Sequence, residues 1–69
     1  MKHTEVFHPE QTVNGATVQV VELVWADGGR SFDVYEVKEF GLMLLLTEAE
    51  SFDCYPTYEQ ISALLSDPV

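Results

Sequence analysis

Asn14-Gly15-Ala16-Thr17-Val18-Gln19-Val20-Val21-Glu22-Leu23-Val24-Trp25-Ala26-Asp27-Gly28-Gly29-Arg30-Ser31-Phe32-Asp33-Val34-Tyr35-Glu36-Val37 is the stretch on which the fold turns. Two segments rich in β-branched and aromatic residues are set off by pairs that tolerate positive φ. Asn14-Gly15 suits a type I′ hairpin turn, which demands positive φ at both central positions. Gly28-Gly29 reads as a second two-residue turn, with Asp27 paired to Arg30 across it. The strands run roughly over 16–26 and 31–37.

In that register Trp25 faces Phe32, Leu23 faces Val34 and Val20 faces Val37. One sheet face then carries Val21, Leu23, Trp25, Phe32 and Val34. The other carries Val18, Val20, Val24, Tyr35 and Val37, interleaved with Glu22 and Asp33. Strict alternation would leave one face polar. Here both are partly apolar, and the phase slips near Val20-Val21 and near Val34-Tyr35, which predicts a bulge or strong coiling.

Working outward, residues 5–13 form a weaker first strand. Pro9 cannot donate to a ladder, so this strand belongs at an edge or breaks there. Lys38-Glu39-Phe40-Gly41 reads as a third turn with Gly41 in the left-handed position. The apolar run 42–46 follows. Its length and the preceding glycine favour a strand buried on both sides over a short helix across 42–49. Residues 47–56 form a loop with a short extended piece at 51–54. Thr57-Tyr58-Glu59-Gln60 has the form of a capping box, and a helix follows to about Ser66, ended by Asp67-Pro68. Tyr58, Ile61, Leu64 and Leu65 share one face of that helix. The expected fold is α+β: an antiparallel β-meander of three to four strands with one C-terminal helix packed on one face.

The chain has 69 residues and reads as one small acidic domain. A domain of this size buries only about 60% of the surface its unfolded chain exposes, so it needs an efficient core or a partner. Cys54 is the one cysteine, which excludes an internal disulfide and points to a reducing, cytoplasmic setting. The start of the chain lacks the apolar segment of a signal peptide, and the run 42–46 is too short to cross a bilayer. Twelve acids against Lys2, Arg30 and Lys38 leave a net charge of −9. Direct binding to nucleic acid needs basic residues, and anionic membranes need them too, so neither is expected. A basic protein surface suits this field best.

Three clusters invite a chemical reading. His3 and His8, near Glu5 and Glu10, point to opposite faces of a strand, so no metal site is expected. Cys54 lies beside Asp53 and near Glu50; these oppose the thiolate, and a buried or half-buried structural cysteine is expected. Glu48, Glu50 and Asp53 precede the helix, yet acid–base work needs a pocket that separates carboxylate pKa values, and so short a chain leaves little room for one of about 300 Å³. Neither an enzyme nor a cofactor protein is expected.

One helix can cover one sheet face, and a large apolar patch left open marks an interaction site or a homodimer interface. The expected function is a non-enzymatic protein-interaction module (adaptor, inhibitor or small subunit). Its candidate contact residues are Val18, Val20, Glu22, Val24, Trp25, Asp33, Tyr35, Glu36, Val37, Glu48, Glu50 and Asp53. The alternative is an acidic nucleic-acid mimic, of the kind mobile elements encode, in which Glu22, Asp33, Glu36 and Glu39 with Glu48, Glu50, Asp53 and Glu59 imitate phosphates.

Overall fold

The hairpin at Asn14-Gly15 forms as its composition requires: the two residues have φ of 51° and 80°, and Val13 sits opposite Ala16 across the turn. The structure is a computed structural model that describes residues 2–66. Five antiparallel strands form one open sheet: β1 (His3–Phe7), β2 (Gln11–Val13), β3 (Ala16–Trp25), β4 (Arg30–Val37) and β5 (Met43–Leu45). A single α-helix follows, α1 (Tyr58–Leu65), so the chain is α+β. Both β1 and β2 pair with β3, so they are one strand interrupted at His8-Pro9-Glu10. That break is why five strands stand where three to four were expected. The expected helix stop at Asp67-Pro68 lies outside the described residues.

The interruption is a bulge with a purpose in packing. Phe7 lies opposite Val21, and Gln11 lies opposite Val18, so the outer strand gains one residue on β3. Each added residue reverses the side to which later side chains point. His3, Glu5 and Phe7 therefore share the side of Val21, while Val13 crosses to the side of Val18 and enters the core. No bulge interrupts β3 and β4; their ladder runs unbroken from Val18↔Glu36 to Val24↔Arg30. The two strands look out of phase in sequence because both of their faces are apolar.

The β3–β4 register departs from expectation by three residues. The Trp25 amide donates to the Gly29 carbonyl at 2.8 Å, and the Gly28 amide donates to the Trp25 carbonyl at 2.9 Å. Ala26, Asp27 and Gly28 thus form a three-residue loop closed by a type I turn. Gly28 takes the left-handed position with φ of 92°, a geometry open to glycine at no steric cost. The Asp27 carboxylate accepts from the Gly29 amide at 2.9 Å and holds the loop in place of an Asp27–Arg30 pair.

An odd shift moves every β4 side chain to the other face. Phe32 and Val34 join Val18, Val20, Glu22 and Val24, while Tyr35 and Val37 join Val21, Leu23 and Trp25. The core forms on the Val18 side, from Val13, Val18, Val20, Phe32, Val34 and Ile61, with Leu46, Phe52, Leu64 and Leu65 packed against it. Val18 and Val20 are fully buried there, which removes them from the open face on which they were expected. Burying each such side chain stabilises by roughly 1.5–3 kcal/mol.

The helix begins as its sequence predicts. The Thr57 hydroxyl accepts from the Gln60 amide at 3.1 Å, and the Gln60 side chain accepts from the Thr57 amide at 2.9 Å. Of the extended piece expected at 51–54, the structure keeps a one-residue bridge: Phe52 and Phe32 exchange two backbone hydrogen bonds at 2.8 and 2.9 Å, and the chain bends at Asp53 and Cys54. Among the described residues, no helix is long and apolar enough to cross a membrane.

Candidate interaction surface

The sheet side opposite the core is built from alternating residues of four strands. Phe7 on β1, Val21, Leu23 and Trp25 on β3, Tyr35 and Val37 on β4, and Met43 and Leu45 on β5 fall there by register. Val21 is buried at its centre, flanked by Phe7 and Asp33 on the neighbouring strands. Leu23, Trp25, Tyr35 and Val37 are half-buried, and Phe7 and Met43 are exposed. His3 lies against the Trp25 ring at 4.7 Å between centroids, and the indole N–H donates to the Ser31 hydroxyl at 3.2 Å. Trp25 is thereby held at one end of the strip with its ring partly accessible. Of the hydrophobic candidate contact residues, Trp25, Tyr35 and Val37 meet on this side, although Trp25 was expected on the face opposite the other two. Val18, Val20 and Val24 lie on the other.

Further apolar residues are exposed in the β4–β5 connection and on the opposite side of β5. Phe40 is 97% exposed and has φ of 61°. A bulky side chain at positive φ is a true conformational outlier. Gly41 beside it has φ of 77°, as its place in the turn predicts. Leu42 is 66% and Leu44 51% exposed. The strand expected to be buried on both sides is thus an exposed edge strand. The physical reason is topological: the chain leaves β5 through the loop 47–57, so among the described residues no further strand flanks it. Phe40, Phe7 and the β5 leucines were not singled out from the sequence. The available signal was a phenylalanine inside a charged turn, between Glu39 and Gly41.

The candidate carboxylates divide into engaged and free groups. Glu22 is only 9% exposed and lies 3.0 Å from His8 Nε2 and 3.2 Å from an Arg30 guanidinium nitrogen. One Asp33 oxygen accepts from the Thr47 hydroxyl at 2.8 Å and from the Ser51 hydroxyl at 2.5 Å, tying the loop after β5 to β4. Glu36 pairs with Lys38 at 3.3 Å. Glu48, Glu50 and Asp53 are exposed. The strand acids do not form a row, because Glu22 and Glu36 fall on the core side of the sheet and Asp33 on the other.

Two shallow hollows exist where little room was expected. One, of about 380 Å³, is lined by Glu50, Ser51, Phe52, Asp53, Cys54 and Gln60. Its lining has two carboxylates and a thiol but no cationic group. Cys54 is exposed there, which corrects the expectation of a buried or half-buried thiol; the loop keeps Phe52 and Pro56 on the inside instead. The other hollow, of about 340 Å³, lies between Lys2-His3-Thr4 and Val24-Trp25-Ala26. His3 and His8 sit on opposite sides of the sheet, one against Trp25 and one beside Glu22.

No family model, curated protein or solved structure matches this chain.

Proposed function

We propose that this chain is a non-enzymatic protein-interaction module, an adaptor, inhibitor or small subunit. In this reading α1, with Phe52 and Tyr55 of the preceding loop, closes the Val18–Val20–Val34 side of the sheet. The other side is left for a partner. The observation that supports it is the half-exposed strip of Leu23, Trp25, Tyr35 and Val37 opposite the core, bordered by Phe7 and Met43. Aromatic anchors with aliphatic neighbours carry most of the energy in protein interfaces. The net charge of −9 selects a partner with a basic surface, and a second copy is the competing occupant of the same strip. An exposed thiol without a partner fits a reducing, cytoplasmic setting.

The test compares wild type with Trp25→Ser and Tyr35→Ser, each first checked for a retained unfolding transition. Immobilised proteins are challenged with source-cell lysate at low and high salt, and light scattering follows self-association. A protein, or a second copy, held by wild type and released by either substitution supports the reading. Retention indifferent to both residues, together with a monomer at high concentration, overturns it. A captured DNA- or RNA-binding protein that free nucleic acid displaces from Trp25→Ser and wild type alike would favour the mimic instead.

A further inference from the structure

The sheet has two edges, and they are treated differently by the sequence. The β1–β2 edge carries a bulge, Pro9, and the charged or polar residues Lys2, His3 and Glu5. These are the devices by which proteins discourage strand addition. The β5 edge is protected only by its shortness, three paired residues: residues 42–46 are Leu-Met-Leu-Leu-Leu, with no charge, proline or bulge.

The hydrogen-bond phase shows what that edge offers. The Lys38 amide donates to the Leu42 carbonyl at 2.6 Å, and the Leu46 amide donates to the Val34 carbonyl at 2.8 Å. Pairing alternates along an antiparallel ladder, so Leu44 is the residue of β5 that bonds inward, to Glu36. Met43 and Leu45 hold the intervening positions, and their N–H and C=O groups point away from β4. Among the described residues no strand lies on that side. The side chains of Met43 and Leu45 fall on the open side with Val37 and Tyr35, and Leu44 is exposed on the other.

Charge decides the occupant. Glu39 precedes this edge, Glu48 and Glu50 follow it, and Glu36 lies beside Leu44. The nearby cation, Lys38, is paired to Glu36 at 3.3 Å. A second copy aligned antiparallel would bring Glu39 of one chain toward Glu48 and Glu50 of the other, which repel. Resting on the interaction-module reading, we propose that the β5 edge binds an extended segment of another protein as an added strand. That segment has about five predominantly apolar residues, matching the run 42–46, with lysine or arginine at both ends. Phe40, strained and almost fully exposed beside Glu39, caps one end of the groove as an aromatic contact for the incoming chain.

The probe is a short synthetic peptide with a Val/Thr core and two lysines at each end; its counterpart carries glutamates instead. Binding to the isotope-labelled full chain is followed by amide shifts and amide hydrogen exchange. The lysine peptide is expected to bind and to slow exchange at the Met43 and Leu45 amides by tenfold or more. Leu45→Pro removes one outward N–H without removing a ladder bond, and is expected to weaken binding tenfold or more. If that variant does not fold, Leu44→Lys gives the same readout by placing charge on the edge. Equal binding of the glutamate peptide overturns the proposal, as does no binding at about 1 mM. A dimer that Leu45→Pro abolishes also overturns it, in favour of a second copy. Shifts confined to Leu23, Trp25 and Tyr35 overturn the edge but leave the interaction-module reading standing. Failure of the Trp25 and Tyr35 tests with edge binding intact overturns the open strip as the contact site and leaves the edge.

Discussion

The amide of Trp25 donates to the carbonyl of Gly29 at 2.8 Å, and this contact determines which side chains of β3 and β4 share a face. It places Gly28 at φ of 92° with open space where a Cβ would stand. Gly28→Ala therefore meets only the left-handed backbone penalty, about 1–2 kcal/mol. At Gly29 an added Cβ would lie 3.2 Å from an Asp27 carboxylate oxygen that can swing aside. Gly29→Ala should cost less, about 0.5–1.5 kcal/mol for the weakened hydrogen bond. Urea unfolding midpoints at unchanged slope provide the comparison. A Gly29 substitution more costly than Gly28 would point to a two-residue turn and a different register.

Glu22 is the buried acid of the core side, with His8 and Arg30 as partners. Glu22→Ala should destabilise by about 1.5–3 kcal/mol, since it removes hydrogen bonds to a charged acceptor. Arg30 is largely exposed and can return to water, so the lower part of that range is expected. Glu22→Leu should stay within about 1 kcal/mol of wild type, because Val20, Val24 and Phe32 flank the position. Equal losses in the two variants would show that the ion pairs, not the packing around them, hold this site.

Ile61 is 1% exposed and is the helix residue in the core cluster. Ile61→Ala should cost about 2–5 kcal/mol, a large fraction of the stability of so small a domain. Thr57→Ala removes the N-cap and should cost about 1 kcal/mol. Chemical denaturation with far-ultraviolet circular dichroism separates the two. An Ile61 variant no worse than the cap variant would mean that α1 is not part of the cooperative core.

Phe40 reverses the usual direction. Its backbone lies at φ of 61° and its side chain is exposed. Phe40→Gly relieves about 1–2 kcal/mol of strain and costs about 0.4–1 kcal/mol through the freer unfolded chain. A net change between about zero and a gain of about 1.5 kcal/mol in stability is expected, read as a thermal midpoint no lower than wild type. A loss on substitution would show that the ring supports the turn and is not held for a partner.

Local chemistry explains what was legible. Asn14-Gly15 tolerates the conformation of a type I′ turn wherever it occurs, and Thr57 with Gln60 closes a capping box from four consecutive residues. Pro9 breaks the first strand for want of an N–H. Of the candidate surface, Tyr35 and Val37 were placed together because alternation alone puts residues two apart on one side; that Trp25 joins them follows from the β3–β4 register. The acids were harder to read, since a carboxylate in a strand carries no mark of whether His8, Arg30 or Thr47 will meet it.

What the sequence determined by itself was therefore the set of elements, their order and the antiparallel hairpins that join them, because turns and caps depend on neighbours within a few residues. The tertiary structure decided the rest. Gly28-Gly29 permits loops of two or three residues, and the choice places Phe32 and Val34 with Val20 and Ile61 in one buried cluster. Residues 42–46 are apolar in any context. Their exposure follows from the chain turning away to build α1, which leaves the last strand, among the described residues, with β4 on one side and no strand on the other.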